Sequence, residues 1–255
     1  MKSLDPAPAP KPAIEVCFHE ALGEVRRAWR VPGFPLLAAA APVVFVALAA
    51  DSMVAGSGWT IRAVMVSMMF TVVTLALVVT ALTAAADRGG RMLALKRSSP
   101  LPDSIYLAAK TVAAMVTTTL VIAPAIILCL GLGPNLDAGR WFEIIVVALT
   151  ATAMFSLVGV GIGLTAGAHG GHAAATLALL VLALAILGGR LPEPTRPTLV
   201  VPLAWLSPWF QIRQLAVAII EPVNTGLPTA HLAAIGVMSV AAALFARLSL
   251  RRATA

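Results

Sequence analysis

The sequence predicts an all-α integral membrane protein. It should have six transmembrane helices, an N-terminal amphipathic interfacial helix before the first, and an outer re-entrant or interfacial helical segment before the last. Three observations predict this. Hydrophobic residues make up 60% of the 255 and charged residues only 11%, whereas a soluble domain spends about a quarter of its residues on charge. Mean hydropathy is +0.94, so the chain has more apolar residues than one water-soluble core could bury. The apolar residues also fall in long runs that match the roughly 18 to 20 residues needed to cross a hydrocarbon core. Together these exclude a soluble globular fold and confine disorder to the ends.

In chain order, residues 1–13 hold a Pro/Ala tract and read as a disordered cytoplasmic tail, with no cleavable signal peptide evident. Residues 14–32 form the interfacial, or elbow, helix. Ile14, Phe18, Leu22, Val25 and Trp29 follow one another at steps of four, four, three and four, which is a single helical stripe. Arg26, Arg27, Trp29 and Arg30 suit its place at headgroup depth. It reads either as a plain anchor for the first span or as an elbow touching a partner subunit.

Residues 33–246 form the six-helix transmembrane domain. The first span is Gly33 to Ala50, closed by Asp51. The second is Ala63 to Ala86, closed by Asp87 and Arg88, with Ser67, Thr71 and Thr74 on one face among Met65, Met68 and Met69. The connection from Asp87 to Lys110 breaks at Gly89 and Gly90, carries a short basic helix over Arg91 to Arg97, and stops at Ser98, Ser99 and Pro100. Asp103 or Ser104 can cap the next helix. The third span, Thr111 to Leu132, contains Thr117, Thr118, Thr119 and Pro124. The fourth, Trp141 to Ala168, repeats glycine every fourth residue at Gly159, Gly163 and Gly167, a spacing that lets helices approach closely. The reading is open between packing within the chain and a dimer seam or gate. The fifth span is Ala173 to Gly189. In the Pro-rich outer segment Arg190 to Leu227, Ser207 reads as an N-cap with Pro208 at the first helical position. Trp209, Ile212, Ala216, Ile219 and Ile220 then form its apolar stripe. The sixth span is Pro228 to Ala246, and 247–255 is a basic cytoplasmic tail.

An even number of spans puts both termini on one side. Lys2, Lys11, Arg26, Arg27, Arg30, Arg88, Arg91, Lys96, Arg97, Lys110, Arg247, Arg251 and Arg252 lie there, against Arg62, Arg140, Arg190, Arg196 and Arg213 opposite. The positive-inside rule makes the richer side cytoplasmic. This accounts for the net charge of +7 as a collar facing lipid headgroups, without nucleic acid.

Catalytic patterns are missing. There is no Walker A sequence, nucleophile elbow or His-Glu-x-x-His pair. His169 and His172 flank a Gly-Gly turn with no acidic or cysteine neighbour, so no metal site is expected. Cys17 and Cys129 are too far apart in the sequence to suggest a disulfide framework. The spans as drawn hold no deep ionisable residue, which disfavours a secondary, proton-coupled transporter. Met68, Thr71, Thr74 and Thr118 are candidates for a path suited to a hydrophobic or amphipathic compound, because Met packs adaptably.

Three stretches carry a resemblance. They are EVRRAWRVPGFPLL (Glu24 to Leu37), the connection Asp87 to Lys110, and LSPWFQIRQLAVA (Leu206 to Ala218). In order and position they resemble the permease subunit of bacterial ABC-2 type transporters, in the drug and antibiotic exporter branch. Arg88, Gly89, Ser99, Pro100, Leu101, Pro102 and Lys110 match the family's pattern, Asp87 stands for its acidic residue, and Gly90 replaces its usual Thr. The resemblance implies no cofactor in this chain, with ATP and Mg bound by a partner ATP-binding subunit. It also implies a second permease chain, as homodimer or heterodimer, export by alternating access from the bacterial inner membrane, and contact with lipid. Asp87, Arg88, Gly89, Arg91, Met92, Leu93, Lys96 and Arg97 would couple to the ATPase. The competing class is a membrane sensor, scaffold or immunity protein that binds partners without transport.

Overall fold

In a computed structural model of the protein, the structure describes residues 12–30, 59–90, 102–132, 136–166, 175–177, 206–220 and 228–254. These are helical throughout, with no strand among them. The first expected span, all of the fifth but residues 175–177, the expected basic helix Arg91 to Arg97 and the His169/His172 turn lie outside the described residues.

The principal helices are α1 (Ala13–Trp29), α2 (Trp59–Gly89), α3 (Asp103–Leu132), α4 (Ala138–Thr165), α5 (Pro208–Ile220) and α6 (Pro228–Thr254). Four contain segments long and apolar enough to cross a membrane: Met68–Gly89 in α2, Asp103–Pro124 in α3, Ala138–Thr165 in α4 and Thr229–Thr254 in α6. They correspond to the second, third, fourth and sixth expected spans.

Several boundaries differ from the sequence expectation. Helix α3 begins at Asp103, eight residues before Thr111, because a helix only partly in lipid needs no apolar residue in its first turns. Asp103 is therefore an acid of the first turn and not its cap, and the Ile105 N–H donates to the Pro102 carbonyl at 2.9 Å. Helix α6 runs on through the basic tail to Thr254, with Ser249 and Leu250 buried. Ser207 does stand at the N-cap position, immediately before Pro208, but its side chain makes no capping bond. Its hydroxyl is buried without a hydrogen-bond partner, and its carbonyl accepts from the Gln211 N–H at 3.3 Å. Helix α4, by contrast, has a formed cap: Asp137 Oδ1 accepts from the Arg140 N–H at 2.9 Å.

The core lies where α2 and α4 meet, under α5 and one stripe of α6. Met69, Val72, Val73 and Leu77 face Ile144, Met154 and Phe155, and Ile212 of α5 closes the layer. The glycines explain how α2 and α4 come so close. A Cβ at Gly159 would collide with Thr80 Oγ1 and the Leu77 carbonyl, and one at Gly163 with the Ala81 carbonyl. Two of the three spaced glycines thus pack within the chain, while Gly167 lies outside the described residues. Gly161 admits the ring of Phe245 from α6. Helix α5 is pinned by Trp209, whose ring meets Phe70 edge-on at 6.0 Å. Gln211 and His231, both buried, join α5 to α6 through a 2.5 Å Oε1···Nδ1 contact. Helix α6 buries Ile235, Ala242, Ala246 and Leu250 and turns Leu232, Val237, Val240, Leu244 and Leu248 outward.

Candidate functional site: a buried charge cluster joining α1, α2 and α3

Helix α1 does not bury its apolar stripe. Ile14 is 80% exposed and Phe18 64%, with Leu22 and Trp29 also exposed. The residues that face the bundle are Ala21, Glu24 and Ala28, spaced three and four apart on a face roughly a quarter turn away. Two alanines let α1 sit close against α3, and between them Glu24 enters the interior only 6% exposed.

Glu24 is held by charge. Its Oε2 lies 2.7 Å from Lys110 Nζ of α3, and the same ammonium lies 2.8 Å from Asp87 Oδ2 of α2. Asp87 also accepts from Arg27 Nη1 at 2.5 Å and from the Tyr106 hydroxyl at 3.1 Å. Arg27 returns to Glu24 at 3.5 Å. Two carboxylates and two cations therefore alternate around a closed ring, and Tyr106 packs beside Lys110 with its ring centroid 5.6 Å from Nζ. Glu24, Asp87, Tyr106 and Lys110 are all buried, and Arg27 is partly so. Charges this far from water persist only when paired and hydrogen-bonded, a condition the ring meets. Next to it, the Arg88 guanidinium donates to the Leu164 carbonyl. It satisfies an acceptor in the last turn of α4 and places a cation at that helix's negative end.

A cavity of about 30 Å³ adjoins the ring. Glu24, Lys110, Thr80, Thr83, Thr117 and Thr118 supply its polar wall, and Ala28, Leu75, Val79 and Ala113 are among its apolar lining. That is space for about two waters. A line of hydroxyls continues inward: Thr152 donates to Thr118 at 3.2 Å, Ser156 to Thr111 at 3.4 Å, and Thr80 to the Ser156 carbonyl at 3.1 Å.

The structure distributes the sequence-predicted site residues unevenly. Asp87 and Arg88 turn inward, to the ring and to α4, and Gly89 ends α2. Arg91, Met92, Leu93, Lys96 and Arg97 lie outside the described residues. Arg27 joins the ring, while Arg26, Trp29 and Arg30 are exposed. Among the path candidates, Thr118 lines the cavity, Met68 and Thr71 are buried, and the Thr74 hydroxyl is turned back to the Phe70 carbonyl at 2.8 Å. Sequence reasoning gave no separate role to Glu24, Tyr106 or Lys110. The signal available was the pair Glu24 and Arg27, three apart on a helix otherwise bounded by alanines at that face. No group of three or more His, Cys, Asp or Glu side chains suited to a metal ion exists among the described residues.

Residues 20–220 match the family model described as ABC-2 type transporter. No curated protein matches the chain.

Proposed function

Because the chain belongs to the ABC-2 type transporter family, and is a multi-pass membrane protein of that transport class, we propose that it is the permease subunit of an ATP-binding-cassette exporter. It forms the translocation path for a hydrophobic or amphipathic compound and is driven by a separate ATP-binding subunit. It works as a pair of permease chains in the bacterial inner membrane with both termini cytoplasmic. The observation that carries this reading is the family match, which spans residues 20–220 and so includes the residues of the charge ring. Movement of the ATPase enters through Arg91 to Arg97, and α1 with the adjoining ends of α2 and α3 receives it. The exposed apolar stripe of α1, flanked by exposed Arg26 and Arg30, suits a lipid interface.

The test is purification of the chain together with its neighbouring gene products, followed by ATP hydrolysis measured against added substrates. We expect the ATPase to co-purify with the native chain. The triple variant Arg91→Glu, Lys96→Glu, Arg97→Glu should lose it, or should hydrolyse ATP without responding to substrate. If neither form retains an ATPase, the transporter reading fails and a membrane sensor or scaffold takes its place.

A further inference from the structure

One ammonium joins three helices. Lys110 Nζ of α3 touches Glu24 Oε2 of α1 at 2.7 Å and Asp87 Oδ2 of α2 at 2.8 Å, and all three side chains are nearly excluded from solvent. We infer that Lys110 is a positioning residue: its ammonium bolts α1 to the α2–α3 pair, so that the three helices move as one body when the transporter changes state.

Three observations carry this. The hydrophobic stripe of α1 cannot do the holding, because it faces outward. The buried face offers only Ala21 and Ala28 as apolar residues beside Glu24, which is little area for the hydrophobic effect to act on. The orientation of α1 therefore rests on directional ionic contacts. Second, every charge in the ring has two partners, so releasing one bond leaves the others in place, whereas removing Lys110 takes one contact from each of two buried carboxylates and leaves both to share the Arg27 guanidinium. Third, the cavity beside Glu24 and Lys110 is walled by α1, α2 and α3 together. It gives α1 room to shift wherever the ammonium does not hold it. Attachment of α1 follows from these contacts alone; only its use during transport rests on the function proposed above.

The experiment separates the two. Spin labels are placed at Gly23→Cys on α1 and Ala108→Cys on α3, both exposed, in a chain whose Cys17 and Cys129 are changed to Ser. Their separation is measured by pulsed electron paramagnetic resonance, first on the chain alone and then with the ATP-binding subunit and ATP. We expect one narrow distance that ATP does not change. Lys110→Arg should keep it. Glu24→Gln with Lys110→Met restores neutrality and preserves the Arg27–Asp87 pair, so it guards against simple misfolding. That double variant should still broaden the distance and lower transport per ATP hydrolysed by about tenfold, within the range of coupling changes seen at single positions. The inference is overturned if the double variant recovers both the narrow distance and native coupling, since Lys110 would then only neutralise a buried charge. It is overturned equally if the native distance shifts on adding ATP. If the native distance is narrow, broadens in the double variant, and yet no ATP-driven transport occurs, the bolt stands and the transporter reading fails.

Discussion

Asp87 and Arg88 are neighbours in sequence but hold different helices. Asp87 reaches α1 and α3 through Arg27, Tyr106 and Lys110, and Arg88 reaches the last turn of α4 through the Leu164 carbonyl. Arg88→Ala should lower stability by about 2 kcal/mol, the scale of a charge-assisted hydrogen bond with a buried acceptor left bare. It would be read as a lower thermal midpoint in detergent, with the Arg27–Asp87 pair untouched. Lys110→Met should cost more, about 3–5 kcal/mol, because it leaves two buried carboxylates with only the Arg27 cation between them, and should appear as a lower yield of monodisperse protein. These residues were partly legible. Asp87, Arg88 and Lys110 stood out as a pattern around a connection, which suggested the surface. Their partners lie 60 and 86 residues away in sequence, a separation about which local periodicity says nothing. Glu24 was masked for a related reason: a charged residue on an amphipathic helix is ordinarily read as its wet side.

At the scale of helices, the glycines of α4 give the sharpest expectations. Gly159→Ala and Gly163→Ala insert a methyl against backbone and buried atoms of α2. Each should destabilise by about 1–3 kcal/mol, as overpacking does. Gly161→Ala meets only the ring of Phe245, a partly exposed side chain able to swing away, and should cost less. Gly236 in α6 has open space around it, so Gly236→Ala should be neutral or stabilise by up to about 1 kcal/mol through helix propensity. Thermal denaturation of the four variants side by side gives the ranking. The four-residue glycine spacing was visible in the sequence, but whether it served α2 or a second copy was not, because spacing identifies a face and not what lies against it. The outer helix α5 shows the same limit. Its extent over Pro208–Ile220 followed from Pro at the first position and the apolar stripe. The burial of Gln211 did not, since its partner His231 arrives from α6.

For the whole molecule, composition pointed to the membrane, because a chain this poor in charge has no other solvent to fold in, and the length of its apolar runs pointed to helices. Four of the six expected spans coincide with membrane-competent helices among the described residues. Their ends moved wherever polar residues continued a helix beyond the apolar run, as at Asp103 and Thr254. The division of labour on α1 was not legible, because an apolar stripe in a membrane protein is free to face lipid, so hydrophobicity no longer marks the inside. The ring of Glu24, Arg27, Asp87 and Lys110 has one further consequence. Its two positive and two negative charges sum to zero, so carrying the ring across part of the membrane field does no net electrical work. A single uncompensated charge would feel about 2.3 kcal/mol per 100 mV across the full thickness. The body formed by α1, α2 and α3 can therefore move with no bias from this ring between an energised and a discharged cell. Lys110→Met would give the same motion a voltage dependence, measurable as flux against imposed potential in proteoliposomes.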